Sequence, residues 1–167
     1  MQKLIKDGVI AENTWAFIAK AEGEAAAVAV PAGQVLIPVA VWLAQKDQLQ
    51  NRTDIGVWID SDEAAELIGE EANRFAVIGI NFPGFMDGRP FSTARLLRER
   101  YGFKGELRAT GNFIRDQLCY LRRCGVNAFA FANPEANLEE AVKSLSDLQE
   151  YYQAAVDQPL PLFRRRA

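Results

Sequence analysis

The sequence predicts an α/β protein with a mostly parallel sheet. Sequential strand–helix pairs would build it, either half-barrel-like or as an open layered sheet, with an N-terminal arm covering it. Three observations carry that expectation. Three short apolar runs, IGVWI (55–59), FAVIGI (75–80) and VNAFAF (126–131), and a mixed strand, GELRAT (105–110), are each followed by a stretch that reads as a helix. Runs of this length suit strands buried in a parallel sheet. The connections are short, which favours right-handed crossovers that set neighbouring strands side by side.

In chain order, residues 1–24 are polar and mixed, and two short strands or a loosely packed arm both fit LIKDGVI and WAFIA. AAAVAVPAGQ (25–34) ends in a Pro and Gly turn. In VLIPVAVWLAQKDQL (35–49), Pro38 suits the first turn of a helix running to about Ala44, whereas Val35, Ile37, Val39 and Val41 favour strand. The helix is the preferred reading, and the whole N-terminal third is placed as a cover on the sheet. After IGVWI, Asp60 stands three residues before Glu63, a capping-box spacing that opens a helix over AAELIGEEA.

FAVIGI leads into a long loop, NFPGFMDGRPFS, and then a helix from about Ser92. Leu96 and Leu97 are expected to face the sheet, Arg95, Arg98 and Glu99 to stay in water, and Gly102 to stop the helix. After GELRAT, Asn112 is a candidate cap for FIRDQLCYLRRC, with Ile114, Leu118 and Leu121 in one apolar stripe and Gly125 at its end. Asn133–Pro134 opens the last helix, which breaks near Ser144 to Asp147. The expected organisation is one domain over 1–153, regular from about residue 55, and a tail over 154–167 whose Arg164–Arg166 run is solvated.

Composition narrows the function classes. With 167 residues, 49% of them hydrophobic, the chain can bury one ordinary core. A net charge of -3 argues against non-specific nucleic-acid binding. No apolar run is long enough to span a membrane, and MQKLIKDG has no signal-peptide core, so a cytoplasmic protein is expected. There is no His, which disfavours a zinc site and a His-based triad; no metal ligands are assigned. Cys119 and Cys124 lie five apart on one predicted helix, a poor disulfide spacing, and are expected to pack as small apolar groups. No phosphate-binding or dinucleotide fingerprint is present, and no cofactor follows from the residues.

A parallel sheet places its site outside the carboxyl ends of its strands. Here those ends are Asp60–Ser61, Asn81 to Ser92, Thr110 to Asn112 and Ala132–Asn133. The loop contributes a D-G-R turn in which Asp87 and Arg89 flank Gly88. Arg89, the helix N-terminus and the Ser92 hydroxyl could hold an oxyanion, or Asp87 and Arg89 could simply pair. Phe82, Pro83, Phe85 and Gly88 shape the loop, and Phe82, Phe85 and Phe91 could wall a flat apolar group or simply pin the loop down. Arg108, between apolar neighbours on a strand, must be paired or reach the rim. Pairing with Asp116 or Asp87 is one reading, and joining Arg89 in a positive pocket is the other. Arg115 in the first turn of a helix is out of place for the helix dipole, which favours pair or ligand duty. The candidate ligand-binding set is therefore Asp87, Arg89, Ser92, Arg108, Asn112 and Arg115, with no residue assigned to catalysis.

The same stretch carries a resemblance. INFPGFMDGRPFSTARLLRERYG, GELRATG and RDQLCYLRRCG resemble the bacterial family of uncharacterised proteins called domain of unknown function 934, over about residues 50–153. Phe82, Pro83, Phe85, Asp87, Gly88 and Arg89 match the family pattern F-P-x-F-x-D-G-R. Arg95, Arg98, Arg108, Gly111, Arg115, Asp116 and Gln117 also fall on family positions, whereas Pro90, Thr93 and Asn112 depart from it. Members are described as oxidoreductases because their genes tend to lie beside those for assimilatory sulfite reductase. The resemblance implies a place in sulfur assimilation, as an accessory protein of sulfite reduction that binds a small anionic ligand, or sulfite reductase or its electron donor. A flavin- or nicotinamide-dependent oxidoreductase and a pure protein-interaction module are the alternatives. Oligomeric state is left open.

Overall fold

The computed structural model describes residues 2–20 and 23–165. Its strands are β1 (Lys3–Lys6), β2 (Val9–Glu12), β3 (Ala16–Phe17), β4 (Val35–Pro38), β5 (Ile55–Ile59), β6 (Val77–Phe82), β7 (Glu106–Gly111) and β8 (Ala128–Phe131). Its helices are α1 (Val39–Leu49), α2 (Arg89–Glu99), α3 (Leu118–Arg123), α4 (Leu138–Ser144) and α5 (Leu162–Arg165). All eight strands form one sheet in the order β2-β1-β8-β7-β6-β5-β4-β3. From β3 to β8 every pairing is parallel and sequential, and β1 adds antiparallel to β8 with β2 beyond it. The result is the expected α/β fold, a mixed and mostly parallel sheet curled into a half-barrel.

The alternation of side chains along each strand separates two faces. Ile37, Val57, Ile78 and Leu107 lie in register and belong to the main core, which also takes Leu97, Leu118, Leu121 and Ala141 from the helices. One residue further on, Trp58, Gly79, Arg108 and Ala128 lie in register on the opposite, concave face. Curvature crowds that face, and its residues are small where something bulky crosses them. A Cβ on Gly79 would stand 2.9 Å from Trp58 Cβ, and one on Gly56 would stand 3.3 Å from the Trp15 ring. Leu36, Trp58, Val77 and Trp15 form a second, smaller apolar cluster there.

The N-terminal third does more than cover the sheet. Lys3–Glu12 is a hairpin at one edge of the sheet, and Val35–Leu49 is a fifth strand–helix pair. Both tendencies read in VLIPVAVWLAQKDQL are realised, strand up to Pro38 and helix from Val39; the helix kinks just after Ala44, where Gln45 is non-helical (φ -116, ψ 17), and a last helical piece reaches Leu49. The covering arm is the stretch from Asn13 to Lys20, which includes β3. It crosses the concave face from one sheet edge to the other, and the Trp58 indole donates to the Ile18 carbonyl over 2.8 Å to hold it. Phe17 stacks on Trp58 with ring centres 5.1 Å apart.

Several helices differ from expectation. After β5, the Asp60 N–H does bond to Glu63, but two 3-10 segments, Ala65–Leu67 and Gly69–Arg74, replace an α-helix. α2 starts at Arg89 rather than Ser92, because Pro90 fits the first turn, where its missing N–H costs nothing. Asn112 caps no helix. The chain stays extended through Ile114 and makes a 3-10 turn at Arg115–Gln117 before α3, so Ile114 is exposed instead of joining the apolar stripe. Asn133 folds onto the Glu135 N–H, and Asn137 caps α4, accepting from the Glu140 N–H. Arg98 is not in water but donates to the carbonyls of Phe103, Gly105 and Gly125. Arg165 is held by Glu150 and the Tyr151 carbonyl, Arg164 lies beside Phe163, and Arg166 lies outside the described residues. Cys119 and Cys124 are buried free thiols. Among the described residues no helix is long and apolar enough to cross a membrane, and no cluster has the makings of a metal site.

Candidate functional site

Parallel pairing brings the carboxyl ends of β5 to β8 to one rim, as the sequence order implies. At the β5 end, Asp60 accepts from the Asn81 amide over 2.9 Å and from the Ser61 N–H. Burial pushes the Asp60 carboxyl up, but these hydrogen bonds and Lys20, 3.5 Å away, outweigh it and hold the group below its ordinary range. Lys20 also reaches Glu63 at 3.2 Å, fastening the arm to the rim.

The D-G-R turn sits beside this corner. Arg89 donates through Nε and Nη2 to the two Asp87 oxygens, at 3.0 and 2.6 Å, and through Nη2 to Ser61 Oγ at 3.0 Å. Asp87 also accepts from the Arg89 N–H. The Arg89 guanidinium, then the Ser61 hydroxyl, drive the Asp87 carboxyl far below its ordinary range. Gly88 has φ -86 and open space around it, so this turn does not demand a glycine. Ser92 lies exposed on α2. Phe82 is fully buried against Phe91 and Phe113, the Pro83 carbonyl accepts from Asn112, and the Phe85 carbonyl accepts from Gln117. These contacts pin the loop and leave the Phe85 ring exposed.

Arg108 occupies a different place. It is 3% exposed, and its partners among the described residues are Glu106 and Asn13. Nε donates to Glu106 at 2.7 Å and Nη1 to Asn13 Oδ1 at 3.0 Å. Neither Asp116 nor Asp87 is its counter-ion; Glu106 is, two residues away on the same face of β7. Glu106 is shared, because Lys6 Nζ lies 2.8 Å from its other oxygen. Two cations therefore meet one carboxylate; Arg108 and Glu106 are buried, while the Lys6 side chain is 47% exposed.

Beside it, under the arm, opens a concave cavity of about 280 Å³. Asn81, Thr110, Gly111 and Ala130 contribute the strand ends, Trp15 and Phe17 aromatic walls, and Gln2, Asn13 and Arg108 polar groups; Phe131 borders the cavity too, but its ring packs on Phe113 in the main core. Gly111 is required there. Its φ is +96, and a Cβ would stand 2.4 Å from the Phe82 carbonyl oxygen and 2.7 Å from Asn81 Oδ1. Asn112 and Arg115 belong instead to an outer concavity of about 490 Å³ between the loop after β7 and α4, where Arg115 pairs with Glu140 at 3.0 Å.

The arginines expected to converge thus point into three places: Arg89 to Asp87 and Ser61, Arg108 to the inner cavity, and Arg115 to Glu140. Asn81 stands at the rim the sequence order implied, though outside the candidate ligand set, whereas Lys6, Asn13, Trp15 and Glu106 escaped the sequence reading as site residues. Glu106 alone had a local signal, since residues i and i+2 of a strand share a face.

A family model described as "Bacterial protein of unknown function (DUF934)" matches residues 56–163. A search of curated proteins and one of solved structures returned no match. The matched stretch runs from β5 into α5 and includes the strand ends that frame the inner cavity, whereas the arm that closes it lies before the match. It spans about two thirds of the chain, and the protein belongs to this DUF934 family.

Proposed function

We propose that this chain is a cytoplasmic accessory protein of sulfite reduction in sulfur assimilation, and that it binds a small anionic ligand at the carboxyl rim of its sheet. One observation carries the binding half of the proposal. Arg108 shares with Lys6 the one carboxylate it meets among the described residues, and it lines a cavity at that rim. A buried cation without a full counter-charge is costly, and an anion entering the cavity would supply the missing charge. Arg108 is the anchor in this reading. Asn112 and Arg115 form the outer lip, and Asp87, Arg89 and Ser92, beside the exposed Phe85, face outward where sulfite reductase or its electron donor would dock. The pathway half comes from the family resemblance in the D-G-R loop and the stretches after it.

Thermal unfolding of the full chain tests the binding half, comparing sulfite, sulfate and small organic acids with chloride at matched ionic strength. A ligand that binds only the folded state raises the melting temperature in proportion to its occupancy. Stabilisation by at least one anion over chloride, lost in Arg108→Gln, is expected. If chloride does as well as every other anion, the binding half falls. Retention of sulfite reductase, or of its electron donor, on the immobilised protein is expected for the pathway half, and loss of both to the wash would remove it.

A further inference from the structure

We infer that the ligand of the inner cavity is a flat organic acid, of the aromatic or heteroaromatic carboxylate class, rather than an inorganic oxyanion. The inference rests on the anion-binding reading above and specifies the molecule.

Size is the first argument. The cavity of about 280 Å³ approaches the pockets of roughly 300–1,000 Å³ that hold small organic molecules. Sulfite or sulfate would leave most of it unfilled. Shape and chemistry give the second. Trp15 and Phe17 present rings to the space, and Gly111, Ala130 and Ala132 leave the strand ends low. Aromatic walls over small residues make a slot that favours a planar apolar body. An inorganic oxyanion would gain nothing from two aromatic rings and would lose much of its hydration among them.

The polar groups give the third argument. A guanidinium has five N–H donors, and Glu106 and Asn13 take only part of that set on Arg108. The remaining donors suit a carboxylate, which accepts two parallel N–H bonds from an arginine. The Asn81 amide spends a donor on Asp60, while its Oδ1 lies over Gly111 at the cavity floor. That oxygen can accept from a ring N–H or hydroxyl on the ligand. The slot therefore asks for a carboxylate at one point, a flat body between the rings and a donor at another. Indole-2-carboxylate and pyrrole-2-carboxylate carry all three features.

Calorimetric titration of the full chain tests this with indole-2-carboxylate, benzoate, the neutral indole-2-carboxamide, sulfite and sulfate. Indole-2-carboxylate is expected to bind most tightly, and its neutral amide roughly tenfold or more weakly, about 1.4 kcal/mol at tenfold. Trp15→Leu, on the arm outside the main core, should weaken the aromatic acids and leave any residual oxyanion binding alone. Binding of sulfite or sulfate with no binding of the aromatic acids would overturn the ligand class and leave the anion reading standing. Equal binding of the acid and its amide would overturn both, because the charge would then contribute nothing. Silence from every compound would also overturn both.

Discussion

Arg89 and Arg108 lie at one end of the same sheet and differ in what surrounds them. Arg89 is on an exposed turn, with a carboxylate gripping it through both oxygens and a hydroxyl beside it. Arg108 is sealed under the N-terminal arm, shares its carboxylate with Lys6 and borders empty space. By donor count the two are alike, but the charge of the first is matched by its own carboxylate, whereas the second shares its carboxylate with Lys6 and is shut away from water. Arginine content alone does not mark a binding site. The informative quantity is the balance between a cation, its counter-charge and its access to water.

The largest effect should come from breaking the Arg108 side of the contrast. Arg108→Met leaves Glu106 buried with Lys6 as its remaining cation, and removing one partner of a buried ion pair costs about 3–5 kcal/mol. Urea unfolding at neutral pH should show a loss of that size. Adding Glu106→Gln should recover part of it, since the stranded carboxylate is then gone. A double variant as weak as the single one would show that packing, not charge, governs the site.

Arg98 is the internal control. It too is largely buried, and burial lowers its pKa, but backbone carbonyls of Phe103, Gly105 and Gly125 and the Asn127 amide oxygen occupy its donors. It ties α2 to the turns before β7 and β8. Arg98→Ala should cost about 2–3 kcal/mol by stranding those acceptors. It should leave binding of any anion unchanged, because Arg98 does not line the inner cavity. Weakened anion binding in this variant would mean that Arg108 is not special among the buried arginines.

Gly111→Ala probes the floor of the cavity. Positive φ and the nearby Phe82 carbonyl make any side chain strained, and about 1–3 kcal/mol of destabilisation is expected from urea unfolding. An unchanged midpoint would mean that the ends of β6 and β7 can separate, and the cavity would then lack a fixed shape.

How much of this was legible in the sequence follows from the range of each interaction. The strands β5, β6 and β8 were readable because IGVWI, VIGI and AFAF are short apolar runs, whereas β7, ELRATG, alternates apolar and polar residues. The rim followed from topology alone. Helix starts were less legible, because local competition sets them. Pro90 brought α2 forward to Arg89, and Asn137, not Asn133, won the cap of α4. The inner cavity was not legible at all. Asn13 meets Arg108 across 95 residues, and Trp15 finds its place through the missing side chain of Gly56. No local period encodes a contact between an irregular arm and the far side of a sheet. The Arg108 dilemma was visible, but its resolution through Glu106 and Lys6 required the strand register.

The smallest effect should come from Arg89, and acid sharpens it. In the folded chain the Asp87 carboxyl is held far below its usual range, first by Arg89 and then by Ser61, and Asp60 is lowered as well. A carboxyl lowered on folding binds fewer protons in the folded state than in the unfolded one, so stability rises with pH across the gap. The contribution is complete above the unfolded value near pH 4 and is lost as pH falls toward the folded one. The melting temperature of the parent protein should therefore be level from neutral pH to about pH 5 and fall below about pH 4. Arg89→Ala removes the main cause of the Asp87 shift. Its melting temperature should lie slightly below the parent's at neutral pH and converge on it in acid, where Asp87 is protonated in both. A gap that stays constant down to the most acidic point would show that Arg89 acts by packing, and the paired half of the contrast with Arg108 would lose its electrostatic basis.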